Sequence, residues 1–252
     1  MMSDMFSLKG KIAIVTGGNQ GLGQGICEAY AKMGCNIVSV ARRESTETKE
    51  ICEKYNVKFL EIKADLSNRE SINMIIDECN KNIGIPDILV NNAGMIIREP
   101  ITDITTSWDK VLDLNLDAVF FLSQAFSNNL IKNNKKGKII NICSMLSYQG
   151  GINVASYTAS KSAVMGLTKA FCNELASKGI NCNGIAPGYM ETDNTKDIIN
   201  NPERYNEILK RIPQGRWGKK EDLMGAAIYL ASNASDYVNG FTIAVDGGWL
   251  AR

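Results

Sequence analysis

The sequence predicts an α/β fold: a doubly wound parallel sheet of seven strands, with helices on both faces, in a single domain over residues 1–252. Short apolar, β-branched runs alternate with longer segments of helical periodicity, as in successive strand–helix–strand units. The runs are apolar almost throughout, which is typical of strands buried on both faces of a parallel sheet. No linker, repeat or low-complexity segment divides the chain, and its length suits one large α/β domain.

The first predicted unit consists of a strand, a glycine-rich turn, a helix and a second strand. The strands are Lys11–Thr16 and Asn36–Val40, and the helix continues to about Met33. The turn from Gly17 to Gly23 has the spacing G-x-x-x-G-x-G rather than G-x-G-x-x-G. Glycines there let backbone N–H groups approach a pyrophosphate at the positive end of the helix, so the unit is of the Rossmann type.

The alternation continues along the chain. The further predicted strands are Val57–Ile62, Ile85–Val90, Lys138–Cys143, Ile180–Ala186 and Gly240–Val245. The further predicted helices are Glu44–Tyr55, Arg69–Asn82, Ser107–Lys132 and Val154–Ser177, with a short one around Glu203–Lys210. Ligands of such sheets bind beyond the carboxyl ends of the strands. Four segments follow strand ends and are expected to meet there: the glycine turn, Asn91–Gly94, Ser144 and Pro187–Gly188.

The composition excludes several classes of partner. The net charge is +1 and 44% of the residues are hydrophobic, so no bulk field draws the chain to nucleic acid or to a membrane surface. No apolar run approaches the ~18 residues that a membrane-spanning helix needs. The N-terminal segment is too short and too polar for a signal peptide. We therefore expect a cytoplasmic protein with no nucleic-acid or membrane partner.

Cysteine and histidine usage narrows the chemistry. The 7 cysteines are odd in number and form no C-x-x-C motif, which argues against a disulfide framework and against a metal site. The chain has no histidine, the usual acid/base near neutral pH. Mechanisms of the Ser-His-Asp and Cys-His types are therefore excluded, and Cys143 has no histidine to activate it. Proton transfer must use Tyr, Lys, Cys, Asp or Glu.

Tyr157 and Lys161 form the best remaining acid/base pair. Residues at i and i+4 share one face of a helix, so the Lys161 ammonium is expected beside the Tyr157 phenol. A neighbouring ammonium favours the phenolate and lowers the tyrosine pKa from about 10. Ser144, at the end of the fifth predicted strand, could hold the substrate oxygen that exchanges the proton.

These motifs together resemble the short-chain dehydrogenase/reductase family over essentially the full length of the chain. The matching motifs are Thr16-Gly17-x-x-x-Gly21-x-Gly23, Asn91–Gly94, Asn115, Ser144, Tyr157-x-x-x-Lys161 and Pro187–Gly188. The resemblance implies that Tyr157 is the general acid/base and that Ser144 binds the reacting oxygen. It also implies that Lys161 binds the nicotinamide ribose and lowers the Tyr157 pKa, and that Asn115 holds a water linking Lys161 to solvent.

The resemblance implies a nicotinamide cofactor. The implied contacts are Gly17, Asn19, Gln20, Gly21, Leu22, Gly23, Arg42, Asp65, Leu66, Asn92, Ala93, Gly94, Tyr157, Lys161, Pro187, Gly188 and Thr192. Enzymes that use NAD(H) usually place an acidic residue at the end of the second strand, for the ribose 2′-hydroxyl. Here Ala41 occupies that position and Arg42 and Arg43 follow it, so a 2′-phosphate would be attracted. NADP(H) is therefore slightly favoured over NAD(H).

A narrower likeness indicates the substrate class. Residues 144–151, 156–166, 185–195, 215–218 and 234–252 resemble dehydrogenases of small sugar acids, such as 2-dehydro-3-deoxy-gluconate or gluconate. That group resembles users of NAD, which opposes the cofactor expectation drawn from Arg42 and Arg43. The motifs do not separate the two sugar acids.

A sugar acid needs a cation for its carboxylate, ideally the planar fork of an arginine. Arg98, just after the Asn91–Gly94 turn, is the candidate, while Arg211 and Arg216 are interpreted as solvated surface charges. Gln149 is a candidate contact for a substrate hydroxyl. Ser144 and Tyr157 complete the expected set of substrate contacts.

The connection from about residue 188 to residue 218 is far longer than the ~2–6 residues usual between a strand and a helix, and is interpreted as a substrate lid. Its polar residues favour a hydrophilic substrate; they are Glu191, Asp193, Asn194, Lys196 and Asp197. The resemblance also implies a homotetramer, with the Ser107–Lys132 and Val154–Ser177 helices packed between subunits. Trp249 fits either an interface or the core.

Two alternatives stay open at this point. One is a short-chain reductase for another carbonyl, such as a 3-oxoacyl thioester. The other is a dinucleotide-binding sensor without activity, although such a protein would be expected to lose Ser144, Tyr157 or Lys161, and all three are present.

Overall fold

The structure is a computed structural model that describes residues 5–192 and 195–251. Within those residues seven strands form one parallel sheet in the order β3-β2-β1-β4-β5-β6-β7. The strands are β1 (Ile12–Thr16), β2 (Asn36–Ala41), β3 (Phe59–Lys63), β4 (Ile88–Asn91), β5 (Gly137–Ile142), β6 (Ile180–Pro187) and β7 (Thr242–Val245). The predicted doubly wound, seven-stranded parallel sheet in a single domain is confirmed.

Helices connect the strands and cover both faces of the sheet. They are α1 (Gly21–Lys32), α2 (Thr46–Lys54), α3 (Glu70–Asn82), α4 (Ser107–Leu112), α5 (Ala118–Lys132), α6 (Ala155–Leu175), α7 (Lys196–Ile199), α8 (Pro202–Arg211) and α9 (Lys220–Ala231). None of these helices of the described chain is long and apolar enough to span a bilayer.

The two faces of the sheet bury separate apolar clusters because side chains alternate along each strand. On β1, Val15 packs in the cluster that contains Tyr30 of α1. Its neighbour Ile14 packs in the other cluster, with Ile75 of α3 and Phe126 of α5. Both faces of β1 are therefore buried, which explains its unbroken apolar sequence.

Helix α9 is the main element that the sequence interpretation did not include. It packs beside α1, where the buried Tyr30 hydroxyl donates to the Ala227 carbonyl oxygen at 3.1 Å. Helix α9 lies outside every motif, and its burial against α1 is a contact between residues about 200 positions apart. The other predicted helices and strands are present, with ends displaced by a few residues.

The predicted helix Ser107–Lys132 is interrupted. A π-helical turn at Asp113–Asp117 separates α4 from α5. Such turns are frequent at functional sites. Asn115 is the middle residue of this turn and is fully buried.

The segment 188–218 leaves the sheet after β6 and returns before α9, with its two ends fastened to each other. The Gly218 N–H donates to the Tyr189 carbonyl oxygen at 2.9 Å, and the Glu191 N–H donates to the Gly218 carbonyl oxygen at 2.8 Å. The segment contains α7 and α8, and α8 matches the short helix expected there. Asp193 and Asn194, two of its predicted polar residues, lie outside the described residues.

An aromatic cluster packs α8 against the rest of the molecule. The rings of Tyr205 and Trp217 are stacked with centroids 5.2 Å apart, and Tyr189 lies 4.8 Å from Trp249. Trp249 is buried in this cluster together with Met145. Of the two alternatives for Trp249, the structure places it in the core of this chain.

Candidate functional site

A cleft of about 440 Å³ runs along the carboxyl edge of the sheet, within the range usual for small-molecule and cofactor sites. The predicted residues that line it are Gly17, Asn19, Gln20, Gly21, Leu22, Arg42, Asp65, Leu66, Asn92, Ala93, Gly94, Ser144, Tyr157, Lys161, Pro187, Gly188 and Thr192. Four predicted site residues are not among its lining: Gly23, Asn115, Arg98 and Gln149.

The glycine turn is locked to the Asn91–Gly94 turn through Thr16. The Thr16 hydroxyl accepts hydrogen bonds from the N–H groups of Asn92 and Ala93, both at 2.9 Å. The Asn92 amide donates to the Thr16 carbonyl oxygen at 2.9 Å. A Cβ at position 23 would lie 2.2 Å from the Gly17 carbonyl oxygen. Gly23 was expected to contact the cofactor, but it does not line the cleft. Its lack of a side chain instead permits the close packing of α1 against the turn.

The start of α1 suits a phosphate group. Its N-cap residue, Gln20, makes no side-chain capping bond, and the first turn carries no acidic residue. Helix N-termini without side-chain caps present N–H donors and a partial positive charge to anions. Gly21 has a φ of +55°, and nothing lies within 4 Å of the position that a Cβ would occupy. The residues present therefore fit the diphosphate of a dinucleotide.

The end of the cleft at β2 carries two cations and one carboxylate. Arg42 and Arg43 are exposed and line the cleft directly after β2. The Asp65 carboxylate also lines the cleft but accepts hydrogen bonds from the Ser67 N–H at 3.0 Å and the Ser67 hydroxyl at 2.7 Å. These bonds hold the pKa of Asp65 below its usual value. Asp65 thus closes a turn as well as facing the cleft.

The other end of the cleft contains Ser144, held at the start of a 3-10 turn, Met145–Ser147. The Ser144 hydroxyl accepts from the Leu146 N–H at 3.1 Å, which leaves its own proton available to a ligand. Tyr157 is the third residue of α6, whose start is placed opposite this turn by the loop between β5 and α6. Strand β5 and helix α6 therefore bring together two residues that are thirteen positions apart in the sequence.

Burial dominates the electrostatics of Tyr157 and Lys161. It raises the pKa of Tyr157, while the Ser144 side chain and the positive charge of Arg98 act in the opposite direction. It lowers the pKa of Lys161 to about 8. Burial disfavours the charged form of each group, so the pKa of Lys161 falls below that of Tyr157.

The expected lowering of the Tyr157 pKa by Lys161 is not found in this geometry. The Lys161 ammonium nitrogen lies 5.7 Å from the centroid of the Tyr157 ring and donates to the Ile142 carbonyl oxygen at 2.7 Å. The ammonium is thus stabilised by a backbone carbonyl at the end of β5. The groups that lower the Tyr157 pKa are Ser144 and Arg98.

Asn115 ties the π-helical turn to two parts of the site. Its side-chain amide donates to the Met95 carbonyl oxygen at 2.9 Å and to the Ser160 hydroxyl at 3.2 Å, and its oxygen accepts from the Met95 N–H at 2.9 Å. Both amide protons are used within the protein. The water expected on Asn115 can therefore be held only through the remaining lone pair of its side-chain oxygen or its backbone.

Two of the expected substrate contacts lie at the margin of the cleft. Arg98 is exposed and does not line it, yet its charge acts on the Tyr157 phenol. Gln149 is partly buried and is likewise not among the lining residues. Arg216 makes a bidentate ion pair with Asp222, both bonds at 2.7 Å, which agrees with a structural charge at that position.

Cys143 lines the cleft beside Ser144, but burial raises the pKa of its thiol. A protonated thiol is a poor nucleophile. No group of three or more His, Cys, Asp or Glu side chains that could hold a metal ion occurs in the described chain.

Several residues of the site were missed in the sequence. Thr195, Met190 and Met95 line the cleft, and Thr16 and Ser147 hold its turns in place. Thr16 was already the first residue of the glycine motif, but no role was assigned to its hydroxyl. The others follow no spacing rule: Met190 and Thr195 belong to the 188–218 segment, Ser147 to the β5–α6 loop, and Met95 to the loop after β4.

A family model described as enoyl-(acyl carrier protein) reductase matches residues 17–250. The 2-dehydro-3-deoxy-D-gluconate 5-dehydrogenase of Escherichia coli K12 is 53% identical over 253 aligned positions, which cover 100% of both chains.

Solved structures agree with this match. A structure from Agrobacterium tumefaciens with bound NADP is 47% identical, has a TM-score of 0.94 and covers 99% of this chain and 100% of its own. A gluconate 5-dehydrogenase from Burkholderia cenocepacia J2315, in complex with NADP and tartrate, is 37% identical with a TM-score of 0.94 over 100% of both chains.

The buried ammonium of Lys161 predicts a pH-dependent cost in stability. A lysine whose pKa falls from 10.5 to about 8 on folding destabilises the folded state fully below pH 8, and the cost disappears as the pH rises toward 10.5. Lys161→Met should therefore raise the free energy of unfolding by about 1–3 kcal/mol at pH 7. The gain should shrink at pH 9.5, as measured by urea unfolding.

Lys169→Met, at an exposed position of the same helix, is the matched control and should show no such pH dependence. A Lys161→Met variant that is less stable than the wild type by the same amount at both pH values would contradict this account of the buried charge.

Proposed function

The chain belongs to the short-chain dehydrogenase/reductase family, and we propose that its substrate is 2-dehydro-3-deoxy-D-gluconate. It is an NAD(P)-dependent oxidoreductase that acts on a CH–OH group of a small sugar acid. The observation that carries the proposal is the full-length identity of 53% to an enzyme of that name, with Ser144, Tyr157 and Lys161 together in the cleft. The sequence-based resemblance to the family, and the sugar-acid class, are confirmed by the comparisons.

In the proposed mechanism Tyr157 exchanges the proton of the substrate oxygen. In the direction of oxidation its phenolate accepts the hydroxyl proton, and in reduction the phenol donates it. Charges that favour the phenolate promote this exchange, and Arg98 is the cation whose charge lowers the Tyr157 pKa in this geometry. When bound, the nicotinamide accepts or supplies the hydride.

In this mechanism Ser144 polarises the substrate oxygen, and Lys161 positions the ribose of the cofactor. The Ser144 hydroxyl accepts from Leu146, so its proton can point to the substrate oxygen and stabilise charge that develops there. The Lys161 ammonium is held at the end of β5 by Ile142, where its remaining protons can meet ribose hydroxyls. Asn115 fixes Met95 and Ser160 on either side of this group.

The proposal is tested by NAD(P)H absorbance with purified protein and a substrate panel. We expect kcat/KM for 2-dehydro-3-deoxy-D-gluconate to exceed that for gluconate and for a 3-oxoacyl thioester. Tyr157→Phe should lower kcat by about 10²–10⁴-fold, because it removes the acid/base group. Full turnover by Tyr157→Phe would refute the mechanism, and a preference for the thioester would refute the substrate assignment.

For the cofactor we propose a preference for NADP(H) over NAD(H). Arg42 and Arg43 line the cleft directly after β2, at the position where an acidic residue usually holds the 2′-hydroxyl. The Asp65 carboxylate, the acidic group of the lining at that end, is engaged with Ser67. A phosphate group would therefore meet two cations.

Arg42→Ala should lower kcat/KM for NADP(H) by about tenfold or more, since a charge-assisted hydrogen bond to phosphate is lost, while kcat/KM for NAD(H) stays within about twofold. Lys32→Ala, at an exposed lysine paired with Glu28 outside the cleft, is the control. Equal losses with both cofactors would show that Arg42 does not contact a 2′-phosphate.

We propose that Arg98 binds the substrate carboxylate. Its charge acts on the Tyr157 phenol, which puts the guanidinium near the reacting end of the cleft. The loop that carries it is tied to the opposite wall, where the Glu99 N–H donates to the Asn153 carbonyl oxygen at 2.9 Å. Gln149, in that same wall, is the proposed partner of a substrate hydroxyl.

Arg98→Met should raise KM for the sugar acid by about tenfold or more, because a charge-assisted bidentate contact is lost, and should change KM for a neutral ketose far less. The ketose serves as the internal control, since both substrates need the same Tyr157 chemistry. A similar increase in KM for both would refute carboxylate binding by Arg98.

We also propose that the segment 188–218 acts as a substrate lid, supported by the contribution of Met190, Thr192 and Thr195 to the cleft. A homotetramer is proposed from the exposed side of α6, where Gly166 and Ala170 would let a helix of a second copy approach closely. A cytoplasmic location is supported by the cysteines, which are free thiols throughout the described chain.

A further inference from the structure

Ser147 connects the two halves of the reactive end of the cleft. It is 7% exposed and ends the 3-10 turn that Ser144 begins. Its hydroxyl accepts a hydrogen bond from the Ser144 N–H at 3.3 Å and donates one to the Lys161 carbonyl oxygen at 2.7 Å. A single buried hydroxyl thus bonds to the backbone of two residues proposed for the reaction.

These bonds close a ring of contacts. The Lys161 side chain is fastened to the end of β5 through Ile142, and its backbone carbonyl is fastened to the turn after β5 through Ser147. Lys161 is one helical turn beyond Tyr157 on α6. The hydroxyl of Ser147 therefore sets the spacing between the turn that carries Ser144 and the helix that carries Tyr157.

A second hydrogen bond joins the same two segments without touching the reactive residues. The hydroxyl of Ser162, on the exposed side of α6, donates to the Leu146 carbonyl oxygen at 3.3 Å. Ser147 and Ser162 thus both bridge the turn and the helix. Ser147 is buried and bonds to Ser144, whereas Ser162 is exposed and does not. This pair allows the effect of position to be separated from the effect of bridging alone.

We infer that Ser147 is a positioning residue for hydride transfer: its hydroxyl holds the Ser144 hydroxyl at the place where it meets the substrate oxygen beside Tyr157. The inference rests on the proposed role of Ser144. Ser147 itself does not line the cleft, so it acts through Ser144 and not on the substrate.

The experiment is a double-mutant cycle on kcat with the sugar acid that the enzyme turns over. Ser147→Ala should lower kcat by about 10–100-fold, because small displacements of a positioned group cost about that much. The Kd of NADPH should stay within about twofold, and Ser162→Ala should keep kcat within about twofold, as expected for an exposed bond.

Ser147→Thr, which keeps the hydroxyl, should recover most of the lost activity. In the Ser144→Ala background, the further change Ser147→Ala should lower kcat by less than about threefold, since the two residues act as one unit.

The pH profile provides a second signature. Because the Ser144 side chain lowers the pKa of Tyr157, both Ser144→Ala and Ser147→Ala should raise that pKa. In the direction of oxidation, which needs the phenolate, the acidic limb of the kcat/KM profile should therefore move to higher pH. A residue that only stabilised the fold would lower kcat without this shift.

The possible failures are distinguishable. If Ser144→Ala abolishes turnover while Ser147→Ala leaves kcat unchanged, the inference about Ser147 is wrong and the proposed role of Ser144 stands. Losses that multiply in the double variant would likewise overturn it. If Ser144→Ala keeps full turnover, the proposed role of Ser144 fails and the inference fails with it.

Discussion

The hydroxyl of Thr16 is the contact on which the site depends most directly. It stands at the end of strand β1, accepts hydrogen bonds from the N–H groups of Asn92 and Ala93, and donates one to the Val90 carbonyl oxygen at 3.3 Å. It therefore fixes the turn after β4 against the turn after β1, at the point where the sheet order reverses direction. Gly23 then allows α1 to close over the same turn, so the cofactor cleft has one rigid floor.

At the other end of the cleft, burial favours the neutral forms of both ionisable reactive groups. Burial raises the pKa of Tyr157 and lowers that of Lys161, and the Ile142 carbonyl and the Ser144 side chain partly offset the two penalties. The buried ammonium costs stability, and burial keeps the phenol in its protonated form unless neighbouring groups favour the phenolate. Met145, next to Ser144, is buried in a cluster with Trp217, Trp249 and residues of α8.

Much of the fold followed from local pattern. The apolar runs predicted the strands because both faces of a parallel sheet are buried, and the glycine spacing predicted a turn that α1 must approach closely. Helix α9 was missed, since its identity is set by packing on Tyr30 and not by a motif. The π-helical turn at Asp113–Asp117 was also missed, because helical periodicity alone cannot show where Asn115 leaves the α-helical register to bond with Met95 and Ser160.

The sequence by itself determined the chemistry of this protein: without histidine, a tyrosine paired with a lysine is the available acid/base, and the glycine turn marks the dinucleotide. Only the tertiary structure decided how the pair is tuned. Lys161 donates a hydrogen bond to Ile142, and both amide protons of Asn115 are donated within the protein. The charge of Arg98 acts on Tyr157. Residue types and spacings specify which groups exist, whereas burial, hydrogen-bond partners and distances arise only when remote segments pack together.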